Sequence, residues 1–147
     1  MRLTGPQIAV VALALPFAAS AGSLRVGPTR IDLSPRHPVV TLDVQNTGDA
    51  PTLVQADPLS WAQDAGEETL DSTSELIATP LVVSLAPGET QKIRVGLREP
   101  NRAPAERAYR VLVSEITPTF LASAGLRFAV RISVPCVRRT LASCSRR

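Results

Sequence analysis

From Gly125 to Pro135 the chain reads GLRFAVRISVP, with Leu126, Phe128, Val130, Ile132 and Val134 alternating with Arg127, Ala129, Arg131 and Ser133. Successive side chains of a strand point to opposite faces, so this period of two predicts a strand with one bulky apolar face and one mixed face. The same period recurs upstream. SLRVGPTRIDLS (Ser23 to Ser34) alternates through Leu24, Val26, Ile31 and Leu33, interrupted by Gly27-Pro28; a proline there marks an edge or a bulge. PVVTLDVQNTGDAP places Val40, Leu42 and Val44 on one face before the turn cluster Asn46-Thr47-Gly48-Asp49.

TLVQADPLSWAQ predicts a third strand, bent at Pro58 and carrying the single tryptophan, Trp61. The acidic, small-residue stretch Asp64 to Glu75 (DAGEETLDSTSE) reads as an exposed loop. Leu81 to Leu85 is strand-like, Ala86-Pro87-Gly88-Glu89 is a turn, and Gln91 to Leu97 alternates again through Ile93, Val95 and Leu97. After the loop NRAPA (Asn101 to Ala105), AYRVLVSEI (Ala108 to Ile116) sets Tyr109, Val111 and Val113 on one side. Seven short strands, turns between them and no helical periodicity beyond the N-terminal stretch predict an all-β fold, a seven-stranded immunoglobulin-like β-sandwich of about 100 residues.

The first 21 residues read differently. A short basic start (Met1-Arg2), an apolar run from Ile8 to Phe17 and the small-residue site Ala19-Ser20-Ala21 have the layout of a cleaved secretory signal peptide. The apolar run is shorter than the ~20 residues a membrane span needs, so an exported product without stable membrane insertion is expected. The organisation predicted is therefore 1-21 signal peptide, 22-135 folded domain and 136-147 irregular basic tail.

Charge and chemistry exclude more than they assign. The basic balance of the whole chain comes from Arg2 and the tail arginines; Gly22 to Pro135 holds eleven cationic residues against thirteen carboxylates, a net charge of −2. That body lacks the clustered basic residues of a nucleic-acid footprint. Cys136 and Cys144 both fall in the predicted tail, where an oxidising compartment would permit a bridge that ties the tail alone. Two cysteines without neighbouring histidines do not make a zinc site. The single histidine, His37, precedes Pro38 in a turn and has no serine or cysteine at triad spacing. Glu67, Glu68 and Asp71 read as a solvated acidic face, and no glycine-rich phosphate loop follows a strand. Neither an enzyme, a metal nor a cofactor is expected.

In order along the chain, VGPTRIDLS, VTLDVQNTGDAPTLVQADPLSW, ATPLVVSLAPGETQKIRV, ERAYRVLVSEI and GLRFAVRISVP resemble the N-terminal immunoglobulin-like domain of the periplasmic chaperones of pilus (fimbrial) assembly. The middle segment is the most specific, with Thr79-Pro80 and then Pro87-Gly88-Glu89-x-Gln91-x-Ile93-Arg94, and the likeness covers Ser23 to Pro135. The resemblance implies a periplasmic protein whose partners are pilus subunits and an outer-membrane usher. Such chaperones donate the last strand of this domain to a subunit that lacks one, through main-chain hydrogen bonds and alternate side chains in pockets.

On that resemblance Leu126, Phe128, Val130 and Ile132 are the donor residues, and Arg30 anchors the subunit's C-terminal carboxylate. Pro135 stands where many members carry a second basic anchor, which leaves Arg131, on the opposite face, as a substitute. The family's second immunoglobulin-like domain is expected after Pro135, whereas VRRTLASCSRR resembles none of its strands and suggests a truncated ending. Two alternatives stay open: the donor side chains pack only into their own sandwich, or the domain is a secreted structural or adhesion module without chaperone activity.

Overall fold

The computed structural model describes residues 24–100, 106–116 and 129–139. Their strands are β1 (Leu24–Gly27), β2 (Ile31–Leu33), β3 (Val39–Asn46), β4 (Thr52–Asp64), β5 (Glu67–Ser72), β6 (Leu76–Thr79), β7 (Val82–Leu85), β8 (Thr90–Leu97), β9 (Arg107–Ile116) and β10 (Arg131–Arg138). One sheet has the order β1-β3-β8-β6; the other runs β2-β10-β9-β4-β5, with β7 also paired to β4. The two form the immunoglobulin-like sandwich expected from the alternation.

Inward residues of both sheets meet in one core. Leu42, Val44, Ile93 and Val95 come from one side, and Val54, Ala56, Val111, Val113, Val134 and Cys136 from the other. Each is an alternate position of its strand, so the period of two translates directly into burial. Gly27-Pro28 ends β1, because a proline lacks the N–H a ladder needs, and the chain resumes as β2 in the opposite sheet. The first predicted strand is thus two strands, one on each side of the sandwich.

The motif around Gly88 serves this architecture. Gly88 has φ +78, a left-handed conformation that glycine adopts without a steric penalty, and Glu89 Oε2 accepts from the Ala86 N–H at 2.8 Å. The fully buried Asn46 ties this turn to its neighbour: its N–H donates to Glu89 O, its carbonyl accepts from the Gly88 N–H, and its Nδ2 donates to Ala50 O and Leu85 O. A buried amide left without partners would be costly, and here each polar atom has one.

Two expectations are corrected. Asp64 to Glu75 is not a loop: Ala65 and Gly66 (φ +48 and +91) turn the chain, and β5 returns alongside β4. All six residues of β5 are exposed, so no apolar period announced the strand. The second correction concerns the tail. β10 does not stop at Pro135 but continues to Arg138, with Cys136 and Arg138 buried. Cys136 is therefore a core residue rather than part of an irregular tail, and Cys144, its suggested partner, lies outside the described residues.

Candidate functional site

β10 has two kinds of flank. On one side it runs antiparallel to β9 along its whole length, from Arg131↔Ser114 to Arg138↔Arg107. On the other side β2 lies parallel to it, but only over Cys136↔Ile31 to Arg138↔Leu33. Among the described residues no strand covers that side from Ala129 to Pro135.

The hydrogen bonds show which backbone groups face the uncovered side. Glu115 N–H donates to Val130 O at 2.9 Å, so Val130 turns its main chain toward β9; Arg139 N–H donates to Leu33 O at 2.8 Å, so Arg139 turns the other way. Backbone polar groups alternate in direction along a strand. Ala129, Arg131 and Ser133 therefore direct both N–H and C=O outward, and Pro135 directs only a carbonyl outward. That parity is why Pro135 is tolerated inside the strand: the ring replaces an N–H that β9 does not use.

The donor candidates divide. Ile132 is half-buried against the core, Val130 is half-buried just before the strand, and Val134 beyond them is fully buried. Leu126 and Phe128 lie outside the described residues.

Arg30 precedes β2, beside the end of the uncovered edge. Its Nη2 donates to Asp32 Oδ1 at 3.3 Å, and Arg139 Nε donates to the same oxygen at 3.1 Å. Partial burial alone would raise the Asp32 pKa, but hydrogen bonds and charge from Arg139 and Arg30 more than offset it and hold the carboxyl below its ordinary value. Arg131 is exposed and stands four residues upstream of Pro135, before the stretch that β2 covers. Arg139 stands as far downstream, and it is the shared Asp32 oxygen that joins it to Arg30. Reading the tail as irregular hid it, yet the signal was present: continuing the alternation through Val134 and Cys136 puts odd-numbered residues on the outward side.

Two further clusters brace the strands around the edge. Tyr109 donates to Glu75 Oε2 at 2.5 Å and Arg107 to Oε1 at 2.9 Å; burial first, then the hydrogen bond to Glu75, pushes the Tyr109 hydroxyl up to about 12. On the outer face the Arg110 guanidinium lies 5.2 Å from the Trp61 ring centroid, and Glu68 accepts from both Arg110 and Trp61. Glu68, expected on a solvated face, is thus engaged in holding β5 to the sheet. His37 is exposed in the Ser34–His37 turn, as expected.

Residues 23–139 match the model of the pili and flagellar-assembly chaperone family, PapD N-terminal domain. The chain belongs to this family. Its members are assembly chaperones, not enzymes, and the match runs past Pro135 to include all of β10. Among solved structures, the chaperone–tip subunit complex CsuC–CsuE of Acinetobacter baumannii archaic Csu pili is similar at 23% identity and a TM-score of 0.69, over 82% of this chain and 58% of that one. The E. coli chaperone DraB is 26% identical, with a TM-score of 0.63 over 82% of this chain and 56% of that one. Salmonella enterica SafA pilin with the SafB chaperone gives 19% identity and a TM-score of 0.66, over 85% and 58%. The chain thus spans less than three-fifths of the length of each. No curated protein matches it.

Proposed function

We propose that this chain is the subunit-binding domain of a periplasmic pilus-assembly chaperone, exported by the signal peptide read in residues 1–21, and that it lends the uncovered edge of β10 to a pilus subunit. The observation that carries this reading is the half-covered strand: three residues, Ala129, Arg131 and Ser133, each with an outward N–H and C=O, and Val130 and Ile132 on the inward face beside them. An incoming strand gains main-chain hydrogen bonds from the first set and apolar contact from the second, and in the sequence Leu126 and Phe128 continue the same alternation. Binding energy alone suffices, without a cofactor. The family and the complexes of its structural neighbours support pilus subunits as the partner class, and an outer-membrane usher as the acceptor of the loaded chaperone follows from the same kinship.

Arg30 selects the direction of the incoming strand. A strand in the lane of β2 and parallel to β10 would bring its C-terminal end to Arg30, whereas an antiparallel one would bring its N-terminal end. A guanidinium favours the carboxylate, so the parallel arrangement is the one proposed. Ser133→Pro tests the edge, because it removes one outward N–H and leaves the β9 ladder and the inward face untouched. Co-expression with a pilus subunit of the same genome should then lose co-purification while the thermal melt stays near wild type. Undiminished co-purification by that variant would overturn the reading.

A further inference from the structure

One side chain joins the open edge to the far side of its sheet. Tyr109 and Val111 are buried, so Arg110 between them points outward from β9, opposite Leu59 of β4 and Pro135 of β10. Its Nη2 donates to Glu68 Oε1 of β5 at 2.7 Å, its guanidinium lies 5.2 Å from the Trp61 ring centroid on β4, and its Nη1 donates to Ser133 Oγ of β10 at 3.3 Å. These contacts run from β5 to β10 through every strand between them. Trp61 Nε1 donates to the same Glu68 oxygen, which fixes the far end of the network. Arg110 Nε is buried and has no hydrogen-bond partner among the described residues, so the head group sits where Glu68, Trp61 and Ser133 hold it, with one donor left over.

Ser133 is where such a tether matters. Its N–H and C=O face the uncovered side, so it shares no main-chain hydrogen bond with β9, unlike Ile132 and Val134 on either side of it. Of the three residues that offer backbone to an incoming strand, Ala129 has only a methyl group and Arg131 is exposed; Ser133 is the one whose side chain is hydrogen-bonded. Resting on the reading above, we infer that Arg110 is a positioning residue for the lent edge: it holds Ser133 through Oγ, and the β4–β5 hairpin holds Arg110 through Glu68 and Trp61. An edge already ordered in the free chain loses less freedom when a strand pairs with it, so the tether acts on affinity. Without the Ser133 hydroxyl, Arg110 keeps Glu68 and Trp61, which leaves the fold in place and frees the edge alone.

The test uses the whole chain and a fluorescent ten-residue peptide of alternating valine and threonine, with affinity read by anisotropy and backbone order by NMR relaxation. Ser133→Ala should bind the peptide about threefold more weakly, the lower end of what one hydrogen bond contributes, with its thermal melt unchanged. Ser133→Thr keeps the hydroxyl and should bind like wild type. Arg110→Gln should show the same loss as Ser133→Ala, and the double variant should be no weaker, because both substitutions remove one contact. The amide order parameter at position 133 should fall from about 0.85 toward about 0.6 in either single variant, while Val134 stays rigid. Where Arg110→Gln fails to fold, Ser133→Ala and its rescue by Ser133→Thr decide alone. Wild-type affinity in Ser133→Ala, or additive losses in the double variant, would reduce Arg110 to a brace between β9, β4 and β5 and overturn the inference with the edge reading intact. A wild-type chain that binds no peptide removes the edge reading itself, and the inference with it.

Discussion

The two halves of β10 share one strand, one alternation and one partner in β9, yet they have different surroundings. From Cys136 to Arg138 the strand lies between β9 and β2; Cys136 has no exposed surface and even Arg138 is 4% exposed. From Ala129 to Pro135 it has β9 alone among the described residues, and Val130 and Ile132 remain half-buried. The contrast teaches that side-chain alternation decides which face is apolar, while the topology decides which edge is available. Exposed edges invite pairing with another chain. In this molecule the second half secures the strand so that the first half can remain open.

Removing Cys136 to Arg147 attacks the secured half and should have the largest effect. It takes away one core side chain, the end of the β9 ladder and the strand on which β2 rests. With only ~5–15 kcal/mol holding a typical domain together, the expected result is loss of a cooperative thermal transition, checked by circular dichroism. A sharp melt in the truncated chain would show that the open half suffices.

Cys136→Ser is a smaller perturbation of the same half. It buries a hydroxyl in an apolar site and should cost about 1–3 kcal/mol in urea denaturation, whereas Ser133→Ala in the open half should change stability by less than about 0.5 kcal/mol. Equal costs would erase the distinction between the halves.

Alkaline pH sharpens it further. Burial first, then the charge of Asp32, raises the Cys136 thiol to about 12 from its ordinary 9.0, and the Tyr109 hydroxyl is likewise raised to about 12. For both groups the folded value exceeds the unfolded one. Their stabilising contribution is therefore fully present below pH 9 and is lost as pH rises toward 12, by up to about 1.4 kcal/mol per pH unit for each titrating group. Cys136→Ala should remove the part of the decline that begins near pH 9 and leave the part that begins near pH 10 with Tyr109. An unchanged profile would mean that Cys136 is open to solvent.

The smallest effect expected is on the far side of the fold. The Lys92–Asp43 pair is exposed, and such pairs contribute roughly 0–1 kcal/mol, so Lys92→Ala should lower the melting temperature by no more than about 4 °C. Subunit co-purification should be untouched, because this pair lies in the sheet that lacks β10.

Much of this was legible from residue pattern alone. β3, β8 and β9 followed from apolar positions two apart, and the turn at Gly88 from the residues a tight turn requires. β5 did not, since a strand exposed on both faces carries no periodic signal, and a hairpin turn beginning at Ala65 is not an obvious one. β10 was recognised through its first half; its second half, with a proline, a cysteine and an arginine at 135, 136 and 138, looks like the start of a tail. Pattern reading assigns an arginine outward, but here Arg138 occupies an inward position and donates to Pro100 O at 3.5 Å.

Residue order alone was enough for the sandwich and for the inward face of each main strand, and the family likeness it carries is what singled out Arg30 as a candidate anchor. The strand faces are local properties, because the pleat alone converts position along a strand into direction. Tertiary structure decided where β2 stops covering β10, which backbone groups that leaves open, and that Arg139 rather than Arg131 meets Arg30 across Asp32. Lateral pairing is a relation between segments distant in the chain, in this case residues 31–33 and 136–138, and no local period encodes which strand lies beside which.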